Sequence, residues 1–272
     1  MRPEDIHNKR ILFSALNWGL GHVMRSIPLL KRLQTVNNEI HILCDDTQQQ
    51  FYERELENVT YISHKNYPFD FKGKGHFTRD IILTLPTLIK RLKTEHLEVE
   101  KLVSSLQIDL VLSDQRMGFW SKQAPSILIT HQLNLPLKGI EKVAQIYYNK
   151  LLKNFNFIWI PDLPAPNSLA GKLSQTDKSN AIYIGWLSRF EKIPNQEKIY
   201  DFGAIISGPA PYNHQLFEKL KEEWQNLPTK NYIVFNEAKE EQIGNLEIIR
   251  DLTSEEMAKK MLQTKTMEDT IF

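Results

Sequence analysis

A chain of 272 residues with 41% hydrophobic and 25% charged residues is a globular protein of one large or two ordinary domains. A formal net charge of +1 gives no global attraction to nucleic acid, no apolar run is long enough to span a bilayer, and the polar start MRPEDIHNKR lacks the pattern of a secretory leader. The single cysteine, Cys44, excludes an internal disulfide and reads as core packing; together these features predict a cytoplasmic protein.

The first predicted strand is the apolar run Ile11 to Leu16, which Asn17-Trp18-Gly19-Leu20-Gly21 breaks. Val23 to Leu33 then has helical spacing, with Ile27, Leu30 and Leu33 on one face and Arg25, Lys31 and Arg32 off it. Strand, glycine loop and helix form the first unit of an α/β fold that handles nucleotides or phosphates. Glycines let backbone N–H groups approach a substrate, and a helix N-terminus favours an anion such as a diphosphate. His22 is placed to act as a general base near neutral pH, and Arg25, one turn on, to grip a phosphate through two parallel hydrogen bonds. The competing reading is a tight turn with His22 as a cap. Pro28 predicts a helix that starts only near Ser26-Ile27 or is kinked. Gly19-x-Gly21 followed by Asp45 or Asp46 partly mimics a dinucleotide fingerprint. Met24 occupies the third glycine position and His22 would crowd a pyrophosphate, which argues against a nicotinamide or flavin site.

Glu39 to Cys44 reads as the second strand, Asp45-Asp46-Thr47 as a cap for a helix from about Gln48, and Val59 to Ser63 as the third strand. The stretch NYPFDFKGKGH, 66–76, has no clean period and reads as a loop, either a surface connection or a cover over a substrate. Phe77 to Leu106 is helical with an interruption at Pro86. Leu88, Ile89 and Leu92 are its apolar residues, and Lys90, Arg91 and Lys93 form a basic face, either solvated or suited to an anionic membrane surface. Two strands follow: Ile108 to Leu112, ending in Ser113-Asp114-Gln115-Arg116, and Ser126 to Thr130, ending in His131-Gln132-Leu133-Asn134. In a parallel sheet both open on the same edge as His22, so the two polar clusters mark a site. Asp114 would orient an imidazole or accept a hydrogen bond from a substrate hydroxyl; alternatively it caps the next helix while His131 makes a local backbone bond. Gly139 to Asn154 reads as a helix with Ile140, Val143, Ile146, Tyr147 and Leu151 inward. Phe157 to Ile160 is a strand ended by the prolines of 161–166, and Ala181 to Ile184 is another.

A second α/β unit opens at Gly203 to Ser207, with Gly208-Pro209-Ala210-Pro211 as its loop and a helix from Tyr212 to about Gln225. Tyr232 to Phe235 and Leu246 to Ile249 read as strands and Ser254 to Leu262 as a helix. The ending LQTKTMEDTIF is polar and without period, so no strand is expected there.

The segment GLGHVMRSIPLL resembles the amino-terminal loop of GT-B glycosyltransferases, specifically those similar to the GlcNAc transferase of peptidoglycan synthesis. The resemblance implies an α/β, GT-B-like fold: a complete amino-terminal Rossmann-like domain over 1–190, a linker over 191–199, and a partial second Rossmann-like domain over 200–272. It places Gly19, Gly21 and His22 beside the acceptor's diphosphate and reacting hydroxyl. Thr130, His131 and Gln132 match the family's Thr-His motif, with Gln132 in place of the acidic residue, which leaves Asp114 as the carboxylate. Gly185 to Arg189 matches the handover between domains, and Ser207 and Gly208 match the loop on the donor diphosphate, where Pro209 and Pro211 remove N–H donors. The implied activity moves a hexose or N-acetylhexosamine from a UDP-sugar to a carbohydrate or lipid-linked acceptor, with peripheral contact to the inner membrane face. The UDP-sugar is the donor substrate and no separate cofactor is implied. No Asp-x-Asp motif or metal cluster is visible. The family's later glycine loop and ribose carboxylate have no counterpart, so a half-built second sheet and impaired transfer are expected. Two other readings share the fold: an acceptor-binding half that needs a partner chain, and a sugar-nucleotide epimerase.

Overall fold

The computed structural model describes residues 1–17, 20–67, 77–135, 142–190, 192–208 and 210–270, with side chains left out at 77–85, 142–144 and 268–270. Gly19, Ile140, Val143, Pro209 and most of the loop predicted over 66–76 therefore lie outside the described residues or side chains. The chain divides into two compact units, one built chiefly on residues up to 187 and the other on residues from 188 onward.

The first unit is a seven-stranded sheet made of β1 (Arg10–Ala15), β2 (Glu39–Cys44), β3 (Val59–Ser63), β4 (Leu110–Asp114), β5 (Ser126–Ile129), β6 (Phe157–Ile160) and β7 (Ala181–Tyr183). Its order is β3-β2-β1-β4-β5-β6-β7, and every neighbouring pair is parallel. The chain leaves β1 in one direction through β2 and β3, then returns beside β1 with β4 and proceeds the other way. β1 and β4 thus flank the point where strand order reverses, the place where open parallel sheets bind ligands.

Near-continuous apolar strands are expected where helices cover both faces. Ile11, Phe13 and Ala15 of β1 meet α1 (Gly21–Gln34), through Val23, Ile27, Leu30 and Leu33, and Tyr52 of α2 (Asp46–Glu55). Leu12, between them, faces the other way and packs with Val111 of β4 and with Val99 and Val103 of α3 (Phe77–Leu106). α1 and α3 thus lie on opposite faces of the sheet. Asp45 caps α2, its Oδ1 accepting the Gln48 N–H at 2.8 Å, as its position before the helix predicts.

Four expectations for this unit need correction. Pro28 neither delays nor ends α1, which is helical from Gly21. Proline removes only the bond to the Met24 carbonyl, and the buried stripe from Val23 to Leu33 holds the remaining turns together. α3 likewise runs through Pro86 as one helix. In α4 (Lys142–Leu152), Ile146 is 70% exposed and Tyr147 40%, whereas Leu152 is buried and Tyr148 packs against the core. Leu151 packs against the core as its spacing predicts, whereas Ile146 and Tyr147 do not, so the inward stripe runs through Tyr148, Leu151 and Leu152. On α3, Arg91 is drawn down to Glu98 and is only 11% exposed, so of the three basic residues only Lys90 and Lys93 stand exposed.

The second unit has β8 (Tyr200–Ile206), α5 (Tyr212–Trp224), β9 (Asn231–Val234), β10 (Glu241–Ile243), β11 (Leu246–Ile249), α6 (Ser254–Leu262) and β12 (Thr264–Thr270). The sheet order is β10-β11-β9-β8-β12, parallel except for the β10–β11 hairpin. β12 overturns the expectation that TKTMEDT forms no strand: it pairs in register from Thr264↔Tyr200 to Thr270↔Ile206. Threonine favours extended backbone, and the open side of β8 offers a full ladder of partners, so an apolar period is not required. β8 is consequently paired on both sides, and strand order reverses between β8 and β12 as it does between β1 and β4. Among the described residues no helix is long and apolar enough to cross a membrane.

Candidate functional site

The site in the first unit is built by two periodicities. Side chains on β4 alternate between faces, so Asp114 shares the α1 face with Leu110 and Leu112. His22 and Arg25 are three residues apart in the first turns of α1 and share one side of that helix. The strand end and the helix start therefore converge. His22 Nδ1 lies 3.0 Å from Asp114 Oδ1. Arg25 forks onto the same carboxylate, Nε to Oδ2 at 2.8 Å and Nη2 to Oδ1, and its Nη1 lies 3.1 Å from His131 Nδ1. One guanidinium thus joins the ends of β4 and β5.

Asp114 is fully buried. Burial by itself would raise its carboxyl pKa; the charges of Arg25 and His22 and their hydrogen bonds outweigh it and hold the group well below the usual carboxylate range. The reading of Asp114 as a helix cap is not observed. His131 is pushed down to about 4, first by burial and then by the charges of Arg25 and His22, so it is neutral at pH 7. In its neutral form, with the ring proton on Nδ1 toward Asp114, His22 would have its lone pair on Nε2, the arrangement of a general base oriented by a carboxylate.

Arg25 stands apart from its predicted role: its fork is engaged by Asp114 and His131 rather than open to a phosphate. Gly21 heads α1, and a Cβ there would meet no atom within 4 Å, so neither packing nor backbone conformation calls for glycine. Thr130 is buried and its Oγ1 accepts the Gln132 N–H at 3.0 Å. Gln132 is exposed and receives a hydrogen bond from Gln115 at 3.1 Å. Gly19 lies outside the described residues. Asp45, the ribose carboxylate of the dinucleotide reading, is engaged by Gln48 and by the side-chain amides of Asn17 and Asn66. In the second unit, Ser207 and Gly208 follow β8 at its carboxyl end, and Gly208 has φ +105°, a conformation that selects glycine.

Two supporting clusters escaped the sequence reading. Asp162, at the end of β6, accepts from Ser168, Ser174, the Leu169 and Ala170 N–H groups and the Trp186 indole at 2.6–3.2 Å. These bonds hold its pKa below the usual range despite burial, and they shape the loop beside His131. On the α3 face, buried Glu95 receives Arg116, His64 and Tyr67. Its signal was present: Glu95 falls in the stripe Leu92, Val99, Val103, where an acid needs a buried partner.

No protein-family model matches the chain. An uncharacterized glycosyltransferase of Methanosarcina acetivorans is 24% identical over 246 residues, covering 82% of this chain. The chain spans 61% of that relative's length. Among solved structures, the spinosyn rhamnosyltransferase SpnG complexed with thymidine diphosphate superposes with a TM-score of 0.62 at 13% identity, covering 96% of this chain and 75% of that one. The calicheamicin glycosyltransferase CalG4 gives 0.58 at 11% identity, with 97% and 75% covered. UGT89C1 of Arabidopsis thaliana complexed with quercetin gives 0.55 at 12%, with 90% and 70% covered. At such identities the likeness speaks for the fold alone: the chain has an α/β fold that matches structures of GT-B glycosyltransferases.

Proposed function

We propose that this chain transfers a sugar from a nucleoside-diphosphate donor to an acceptor hydroxyl. The observation that carries the reading is the His22–Asp114 pair, 3.0 Å apart at the strand-order reversal of the first sheet. His22 Nε2 takes the hydroxyl proton, the hydroxyl oxygen bonds to the anomeric carbon, and the bond from that carbon to the diphosphate oxygen breaks. The nucleoside diphosphate leaves with the electron pair. Asp114 holds the imidazole in the basic tautomer and stabilises the imidazolium that forms. Gly21, Thr130, His131 and Gln132 line the acceptor side, and Ser207 and Gly208 meet the donor diphosphate. SpnG and UGT89C1, which bind thymidine diphosphate and quercetin, support a nucleotide donor and a hydroxylated acceptor. The finer reading is a hexose or N-acetylhexosamine from a UDP-sugar, with a carbohydrate or lipid-linked acceptor.

The test is calorimetric binding of UDP-GlcNAc, UDP-glucose and TDP-sugars, followed by assay of nucleoside diphosphate release with a panel of hydroxylated acceptors. We expect one donor to bind and turn over, and His22→Ala to leave donor binding unchanged while lowering turnover by ~10²–10⁴-fold. Release undiminished in His22→Ala would overturn the assignment. The matched share of the relative, 61%, motivates a second reading in which this chain supplies acceptor contacts and further donor contacts come from other residues. In that case a well-folded chain binds acceptor but no nucleotide sugar.

A further inference from the structure

The protonation pattern of the two imidazoles follows from what each Nδ1 faces. Asp114 is ionised and can only accept, so His22 Nδ1, 3.0 Å from Oδ1, carries the ring proton, and Nε2 is left with a lone pair. Arg25 has five N–H donors and no acceptor, so His131 Nδ1, 3.1 Å from Nη1, accepts, and the neutral ring has its proton on Nε2. The same guanidinium makes the two-point contact with Asp114. Its side chain is only 16% exposed, and that of Asp114 1%. A rigid fork with buried ends holds both partners in fixed orientation, which the flexible ammonium of a lysine cannot do.

We propose that Arg25 is a positioning residue that, with Asp114, sorts His22 and His131 into opposite tautomers, so that the site offers one imidazole acceptor and one imidazole donor to adjacent hydroxyls of the acceptor substrate. The inference rests on the transfer reading for its substrate and deepens it. The nucleophilic hydroxyl gives its proton to His22 Nε2, while a neighbouring hydroxyl accepts from His131 Nε2–H. Two adjacent hydroxyls, as on a sugar ring, satisfy both imidazoles. A lone hydroxyl leaves His131 without a partner in the complex, and such loss of a partner is discriminating in a desolvated site. Arg25 acts through its neighbours and is not itself a catalytic residue.

The test is two-bond ¹H–¹⁵N NMR of the histidine rings in the full chain without substrate, with the His22 and His131 signals assigned from His22→Gln and His131→Gln. At pH 7.5 we expect His22 with its proton on Nδ1 and His131 with its proton on Nε2. Arg25→Lys keeps the charge and loses the fork. There His131 should become a mixture of tautomers, while His22 keeps its Nδ1 proton through Asp114 and His131 stays lowered by burial and the retained positive charge. His131 also faces His22, Asp114 and Asp162, which all remain in that variant. The inference is overturned if wild-type His22 is protonated on Nε2, if His131 is protonated on Nδ1, or if Arg25→Lys leaves the His131 tautomer unchanged. Should Arg25→Lys not fold, the wild-type spectrum decides alone. A purely structural Arg25 would move the melting temperature and leave the tautomers where they are. Because no substrate is present, the sorted tautomers can be found in a protein that fails the transfer assay, and active transfer can be found without them.

Discussion

Arg116 meets Glu95 at two points, Nε at 2.7 Å and Nη2 at 2.6 Å from the same carboxylate oxygen, with both side chains essentially removed from solvent. Gln115, at φ +62°, turns the chain so that Arg116 reaches the α3 face two residues after Asp114 has reached the α1 face. The strand end therefore serves two networks at once. Arg116 also donates to the Lys65 carbonyl at 2.9 Å, and its guanidinium lies 4.6 Å from the centre of the Tyr67 ring. Breaking a buried pair strands the surviving charge, so Glu95→Gln and Arg116→Met should each destabilise the first unit by about 3–5 kcal/mol. Glu95→Gln combined with Arg116→Met should lose less than the sum, because no charge is left unpaired. Urea unfolding of the four proteins checks this; additive losses would refute the coupling.

Acid sensitivity follows from the histidines. His131 is held down to about 4, chiefly by burial and the Arg25 charge. His64, beside Glu95, Arg116 and Arg91, is lowered in the same direction by burial, against the pull of Glu95. Both are neutral in the folded and unfolded chain above pH 6.5. As the pH falls from 6.5 toward 4 the unfolded chain takes up protons that the folded one refuses, so stability drops. His131→Gln should remove part of that limb, worth about 1–2 kcal/mol after allowance for solvent screening. Asp114 works at lower pH. Its pKa is depressed by folding, so the stability it contributes is present above its ordinary 3.8 and is lost below that value. Chemical unfolding at pH 7, 5.5, 4.5 and 3 separates the contributions, and equal slopes between pH 7 and 4.5 in wild type and His131→Gln would sink the argument.

The elements were legible where local pattern and tertiary need agree. β1, α1 and the ends of β4 and β5 follow from apolar runs closed by glycine or polar residues, and the nearness of His22 to Asp114 was readable because the turn after β1 and the end of β4 share one sheet edge. The partnership of Arg25 with Asp114 was not, because the two are 89 positions apart and only the packing of α1 on β4 joins them. Ile146 and Tyr147 were misplaced because several apolar stripes fit the α4 pattern and only the packed neighbours select one. β12 was missed because its partner is the backbone of β8, which leaves no apolar period to read. β10 was missed through its shortness, although Gly244-Asn245, with Gly244 at φ +56°, is a recognisable two-residue hairpin loop.

The second unit has its own point of close packing. A Cβ added to Gly203 in β8 would lie 2.5 Å from the Tyr232 ring, which is fully buried and whose hydroxyl is held by Thr264 at 3.1 Å. The ring cannot retreat without giving up that bond and its edge contact with Tyr200, 4.9 Å between centroids. Gly203→Ala should therefore destabilise the second unit by about 1–3 kcal/mol through overpacking. Gly203→Ala with Tyr232→Phe should not restore it, since the clash is with ring carbons as well as the hydroxyl; Gly203→Ala with Tyr232→Leu should recover part. Hydrogen exchange of β8 and β9 amides locates the effect, and unchanged protection there would count against it.

His22 and Asp114 should differ in their effect on stability and agree in their effect on transfer. His22 is 17% exposed, and His22→Gln removes a ring from the edge of the site, so a loss of no more than about 1 kcal/mol is expected. Asp114→Asn replaces the acceptor for both Arg25 and His22 by an amide whose NH₂ group faces donors. It leaves Arg25 without its anion, and a loss of about 3–5 kcal/mol is expected. In transfer, each change removes the oriented base: His22→Gln deletes it, and Asp114→Asn frees the ring to place its proton on Nε2. Both should lower turnover by ~10²–10⁴-fold. Residues that act as one unit are non-additive, so the double variant should be no slower than His22→Gln alone, while its stability should track that of Asp114→Asn. Turnover losses that multiply in the double variant would mean that the two side chains act in separate steps, and Asp114 would then need a role that does not run through the imidazole.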